Sequence, residues 1–304
     1  PSRAPRPRSY RYHSIRVSRN VFVATRNKHR SCNNHHHLQY NSGSVFSIRQ
    51  HSHYNFEDMS LPSPAERLSA FREQLKSLNI DCFIQSTNDA HQSEYVCTRD
   101  KRISFLSCFT GSAGTVVVTQ TKALLWTDGR YHLAADKVFK QYSAGWELMK
   151  QGLPETPSVS QWLKENADSV QKIGMDPFLT SISYYNSMKE ALDGSQQEIV
   201  LVDANPIDTV WGKHQPLIPQ NKVFVLDVKY SGQSVDKKIE NIRSKMKEYK
   251  ANALIVSSLD HIAWALNLRG NDIAYNPVFF SYLIITKENT FLFIDPSKLE
   301  ADGG

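Results

Sequence analysis

The stretch Gly111 to Tyr131, GSAGTVVVTQTKALLWTDGRY, limits what this chain can fold into more than any other. Val116, Val117 and Val118 form a β-branched run, and Ala123, Leu124, Leu125 and Trp126 form a second apolar run. Gln120-Thr121-Lys122 lies between them. Two short apolar runs with a polar connection of that length read as a β-hairpin. Neither run alternates with polar residues, so both faces of the hairpin are expected to be covered by other elements. Gly111, Ser112 and Gly114 mark a tight backbone before the first strand. After the second, Asp128-Gly129 turns the chain, and Arg130 opens an amphipathic helix expected to run to about Gln141, with Leu133, Val138 and Phe139 on its apolar side.

Arg130 therefore falls where a core strand gives way to a helix, a common place for a functional side chain in α/β domains. A guanidinium there can hold a peptide carbonyl or carboxylate with a planar fork of donors. By spacing alone the plainer alternative is a surface arginine paired with Asp128 or Asp136, since exposed ion pairs are common.

At 304 residues the chain is long enough for two domains, and its 40% hydrophobic content is ordinary for a globular protein. No run approaches the roughly 20 apolar residues that span a bilayer, so a soluble chain without membrane partners is expected. The formal charge of +6 comes from one end: residues 1–56 hold ten Lys or Arg and no acid, and the remaining 248 residues carry a net of −4. A mildly acidic folded part gives no reason to expect nucleic-acid binding. Cys32, Cys82, Cys97 and Cys108 show no CxxC spacing; reduced, mostly buried thiols in a reducing compartment are expected.

Residues 1–58 are expected to form a disordered basic extension. Its composition is that of a mitochondrial or plastid transit peptide; the alternative is that Met59 is the true start, which leaves a cytoplasmic protein. His35-His36-His37 within it can bind a metal only adventitiously. A first domain is expected over 59–212. It begins with the capping signature Ser63-Pro64-Ala65-Glu66 ahead of Leu68, Phe71, Leu75 and Leu78. Strands are expected at Asp81–Gln85, Trp146–Lys150, Lys172–Asp176 and Glu198–Asp203, with helices starting at Pro157-Ser158 and running over Ile182–Leu192. Strands alternating with helices predict an α/β fold around a mixed sheet.

Asn205 to Gln220, with Pro206, Pro216 and Pro219 around Trp211, is the expected domain junction. A second α/β domain with a mixed sheet is expected over 213–304. It comprises a strand at Val223–Tyr230, a helix capped by Ser234, a strand at Ala253–Ser257, a helix at Leu259–Leu266 and a hairpin of Phe279–Thr286 with Thr290–Ile294. Its helix–strand–helix order echoes the first domain. The chain stops at Asp302-Gly303-Gly304 without a closing element, so this domain is expected to be incomplete.

No self-contained catalytic centre emerges from these residues. Gly111-Ser112-Ala113-Gly114 lacks the GxSxG pattern and the strand–turn–helix setting of a serine hydrolase, and it is too short for a phosphate loop. No HExxH zinc motif occurs. Asp260-His261 reads as a capping aspartate beside an exposed histidine. Asn267 to Tyr282, NLRGNDIAYNPVFFSY, can line a pocket or subunit contact, or its Asn and Asp side chains can simply satisfy loop backbone.

Six ordered segments taken together resemble a known family: DAHQSEY (89–95), GSAGT (111–115), LWTDGRY (125–131), Leu259-Asp260 with IAW (262–264), LNLRG (266–270) and NPVFFSY (276–282). They are similar to the N-terminal half of the Xaa-Pro aminopeptidases, the aminopeptidase P branch of the creatinase-like metallopeptidases. The resemblance implies two creatinase N-terminal-type α/β domains, followed in the family by a catalytic domain that holds two metal ions, usually manganese, and releases the N-terminal residue from peptides with proline second. It implies homodimer contacts and no metal ligand or catalytic residue within these 304 residues. Of the family's substrate contacts, it carries over only Arg130. Cys108, where the family tends to have glycine, and His261, where an acid is common, depart from the pattern. A binding or dimerisation module without catalysis is the competing expectation, because fold does not fix function.

Overall fold

The computed structural model describes residues 12–18, 21–26, 61–142 and 145–299. Tyr12–Ser18 (β1) and Val21–Arg26 (β2) pair antiparallel, and β2 runs parallel to a strand near the far end of the chain. These two strands lie inside the stretch expected to lack order, where Ile15, Val17, Val21 and Val23 supply β-branched residues. The rest of 1–58, with His35, His36 and His37, lies outside the described residues.

The chain divides into two compact units, one of residues 52–218 and one of 219–304 together with the amino-terminal ribbon. The first opens with helix α1 (Pro64–Ser77). Ser63 and Glu66 close a reciprocal capping box at its start. Then follow β3 (Cys82–Ser86), α2 (Arg102–Ser107), β4 (Thr115–Thr119), β5 (Ala123–Thr127), α3 (His132–Tyr142), β6 (Glu147–Lys150), α4 (Val159–Glu165), β7 (Lys172–Met175), α5 (Ile182–Ala191), β8 (Glu198–Leu201) and α6 (Pro206–Trp211). Its sheet has the order β6-β5-β4-β3-β7-β8, with β4 antiparallel to both neighbours and the other pairs parallel. The sheet is mixed, as expected.

Both faces of the β4–β5 hairpin are covered. Val116, Val118, Ala123 and Leu125 point into one core with Phe71, Phe83, Phe105, Phe109, Trp146 and Trp211. Val117, Leu124 and Trp126 point into the other with Ile84, Trp162, Ile173, Met175 and Met188. The two-residue period of a strand splits each apolar run between two cores.

Two details of this unit differ from the sequence expectation. Leu133 is 90% exposed; α3 buries the expected Phe139 with Ala135, and Val138 packs partly against the core. The proline-rich stretch after Asn205 is not a linker at its start: Asn205 caps α6, and Trp211 stacks on Phe105 at 4.6 Å between ring centres, inside the first core.

The second unit contains β9 (Phe224–Val225), α7 (Val228–Ser231), α8 (Val235–Glu248), β10 (Ala253–Val256), α9 (Leu259–Leu266), β11 (Leu268–Arg269), β12 (Ser281–Thr286) and β13 (Thr290–Ile294). The strand expected over Val223–Tyr230 is only two residues long. Asp227 accepts a hydrogen bond from Lys229 N at 2.8 Å and starts α7 in its place. The larger sheet runs β1-β2-β13-β12-β10. Its core is Ile239, Ile262, Leu266, Phe279, Leu283, Ile285 and Leu292.

The order α8–β10–α9–β12–β13 repeats α1–β3–α2–β4–β5 of the first unit, with the same antiparallel pairings. Even the neighbour of the last strand corresponds: β2 lies parallel to β13 as β6 lies parallel to β5.

Candidate functional site

All strands of the first sheet except β4 point the same way, so the loops after β3, β5, β6 and β7 share one edge. Loops at the carboxyl edge of such a sheet are the usual place for ligands. Arg130 stands there, in the turn between β5 and α3.

Its side chain is held from below. Arg130 Nε and one terminal nitrogen donate to the two carboxylate oxygens of Asp128 at 2.8 Å each, and Arg130 N donates to Asp128 Oδ1 at 3.0 Å. These hydrogen bonds, followed in weight by the guanidinium charge, hold the Asp128 carboxyl at about 2. Asp136, the other partner considered from sequence, pairs with Lys140 at 2.6 Å instead.

The guanidinium carbon lies 5.1 Å from the centre of the Tyr131 ring. The Tyr131 hydroxyl shares a 2.7 Å hydrogen bond with Ser112 Oγ, which lowers the phenol's pKa. The same ring meets the edge of Phe109 at 5.8 Å between centres. Gly111 is required here: a Cβ at that position would stand 2.2 Å from Phe109 Cζ. Cys108, just before, ends α2 in the left-handed conformation with φ 60°. Thr127 Oγ1 donates to Ala113 O at 2.6 Å and ties the end of β5 to the glycine-rich loop.

Two crevices open on the same edge. One of about 350 Å³ is lined by Ser86, Asn88, Ala113, Thr115, Ser181 and Tyr184 among others. One of about 560 Å³ lies between the loop after β6 and α4, and shares Thr115 and Tyr184 as walls. Neutral hydroxyl and amide groups line both, together with apolar side chains such as Met175 and Leu179 in the first and Trp126 and Met188 in the second.

The remaining sequence candidates serve the fold. Ser258, not Asp260, occupies the cap position of α9, and Asp260 and His261 are both exposed with 4.0 Å between them. Within 267–282, Asn267 adopts φ 49°, accepts from Lys238 Nζ at 2.6 Å and donates to Gln233 O at 2.8 Å. Asp272 accepts from Lys298 Nζ at 2.8 Å and from Phe280 N at 2.7 Å. That loop is pinned by its own polar residues, and Tyr275 is 95% exposed at φ 63°. Burial pushes the Cys82 thiol far up, so it is inert as a nucleophile. Among the described residues no three His, Cys, Asp or Glu side chains gather closely enough to hold a metal ion.

Spacing alone pairs Arg130 with Asp128 but leaves out Tyr131 and Ser112. The hairpin register held the signal. Thr115 faces Trp126, and continuing that antiparallel count brings Ser112 level with Gly129, beside Tyr131.

Residues 67–209 and 214–302 each match the creatinase/prolidase N-terminal domain. The chain is 46% identical over 226 residues to the Xaa-Pro aminopeptidase ApepP of Drosophila melanogaster, an alignment covering 74% of this chain and 36% of that protein. It is 46% identical over 235 residues to a probable Xaa-Pro aminopeptidase P of Laccaria bicolor, covering 77% and 36%. Among solved structures it is similar to an X-prolyl aminopeptidase from Caenorhabditis elegans, described as a cytosolic enzyme with a di-nuclear active site. The TM-score is 0.71 at 36% identity, covering 79% of this chain and 40% of that one. The chain thus spans well under half the length of these relatives.

Proposed function

The chain belongs to the creatinase/prolidase N-terminal domain family, and from that membership we propose that it is the N-terminal portion of a Xaa-Pro aminopeptidase, with two such domains over 59–212 and 213–304. In this proposal the whole protein is a hydrolase that releases the first residue from peptides whose second residue is proline. Two metal ions, proposed to be manganese, are held by residues beyond this chain and supply the hydrolytic chemistry. The protein works as a homodimer in the cytosol; import into mitochondria or plastids is the alternative if residues 1–58 act as a transit peptide.

The observation that supports the proposal is Arg130: exposed, held by two hydrogen bonds to Asp128, and at the carboxyl edge of the sheet, where folds of this kind commonly bind ligands. A peptide bond to proline has no N–H, so recognition of such a peptide leans on its carbonyl oxygens and terminal groups. A guanidinium offers donors suited to a carbonyl or carboxylate. Arg130 would grip the peptide while the bond is cut by groups outside this chain.

The proposal also assigns no catalysis to these two domains by themselves. The 304-residue chain, incubated with manganese and a Xaa-Pro tripeptide, is expected to release no free N-terminal residue. Turnover by the isolated chain would mean that the catalytic groups lie within it.

A further inference from the structure

Resting on the proposal that Arg130 touches substrate, the structure points to the residues that make it an effective contact. Asp128 takes the Nε hydrogen and one terminal hydrogen, both at 2.8 Å, along one side of the guanidinium plane. The other three N–H bonds form a second edge that no bond in this group uses. The guanidinium carbon lies over the Tyr131 ring, 5.1 Å from its centre. That ring is in turn fixed at its hydroxyl by Ser112 and at its side by Phe109. The arginine is two-thirds exposed, and exposed ion pairs contribute little to stability. Holding a mobile side chain in one orientation does, however, remove the ordering cost that binding would otherwise carry.

We propose that Asp128, Tyr131 and Ser112 are positioning residues that preset Arg130, so that its outward edge receives a carbonyl or carboxylate oxygen of the peptide. The three act through Arg130 and do not touch the substrate.

The test uses the full-length protein and a Xaa-Pro peptide. Asp128→Asn and Tyr131→Leu are each expected to raise KM about tenfold and leave kcat within about twofold, as loss of ground-state gripping does. Asp128→Asn should keep the parent's melting temperature; Tyr131 packs against the first core, so Tyr131→Leu is assayed well below its own melting temperature. Tyr131→Phe, which keeps the ring and loses the Ser112 bond, should fall between parent and Tyr131→Leu. Arg130→Ala combined with Tyr131→Leu should be no worse than Arg130→Ala alone, since both remove one interaction. A second measurement needs no turnover: in the 304-residue chain, ¹⁵N relaxation of the Arg130 Nε–H should report a rigid group, and a mobile one in Asp128→Asn.

If Arg130→Ala raises KM while the Asp128 and Tyr131 variants do not, the arginine contacts substrate and the positioning proposal is overturned. Additive effects in the double variant, or an Nε–H equally rigid in Asp128→Asn, overturn it too. If Arg130→Ala changes nothing, the substrate contact itself is lost, and the positioning proposal goes with it.

Discussion

The first domain contains two bidentate arginine–aspartate pairs with the same geometry and opposite surroundings. Arg102 reaches Asp208 through Nε and a terminal nitrogen at 2.8 Å each, and Arg130 reaches Asp128 in the same way. The Arg102 side chain is 7% exposed and also meets Asp100 at 3.1 Å, whereas the Arg130 side chain is 66% exposed. Burial would lower the Arg102 pKa, but hydrogen bonds and charge from Asp208 and then Asp100 raise it. The buried pair ties α2 to α6 and cannot lose a member without stranding a charge. The exposed pair ties only a turn to itself. The same two residue types thus do different work: one pair joins two helices, and the other fixes the orientation of an exposed side chain.

The sharpest way to break this comparison is to delete each arginine in turn. Arg102→Ala leaves Asp208 and Asp100 without their cation, and should lower the stability of the domain by about 3 kcal/mol in urea denaturation. Arg130→Ala should leave the same urea midpoint unmoved. Equal losses in the two variants would erase the distinction. A smaller effect is expected at the support of the exposed pair. Gly111→Ala forces a methyl group against the Phe109 ring, at a cost of about 1–3 kcal/mol, and should loosen Tyr131.

The carboxylates sharpen the comparison further. Arg130 holds Asp128 at about 2, so the folded form binds this proton less tightly than the unfolded form. The pair is exposed and so adds little to stability; that little is present above the ordinary aspartate range and is lost as pH falls through about 2. Asp100 is shifted the other way, raised chiefly by burial and to a smaller degree by the charge of Asp89. Its contribution strengthens as pH falls through its raised value. A ¹³C-detected titration of the two carboxyls should find midpoints on opposite sides of the ordinary aspartate value, and midpoints on the same side would contradict the assignment of roles.

Much of this was legible in the residues because local chemistry decided it. The hairpin with two covered faces, the capping box at Ser63, the Ser234 cap and the helix Leu259–Leu266 all follow from spacing and capping alone. Helix α2 was not legible. Its six residues, RISFLS, are all buried, so they carry no amphipathic period to read. The strand Val223–Tyr230 was overdrawn because an apolar run gave no sign that Asp227 would start a helical turn. The place of Arg130 after a core strand could be read from the sequence. Phe109 and Ser112 could not, since their contacts with Tyr131 cross the hairpin and exist only once its register is known.

The central claim is that Arg130 serves the peptide and not the fold. The direct measurement is kcat/KM on a Xaa-Pro peptide for the full-length protein and its Arg130→Ala variant, with melting temperatures recorded on the same samples. A fall of about tenfold or more with unchanged melting is predicted. An unchanged kcat/KM, or a fall that only follows a loss of folded protein, would contradict it.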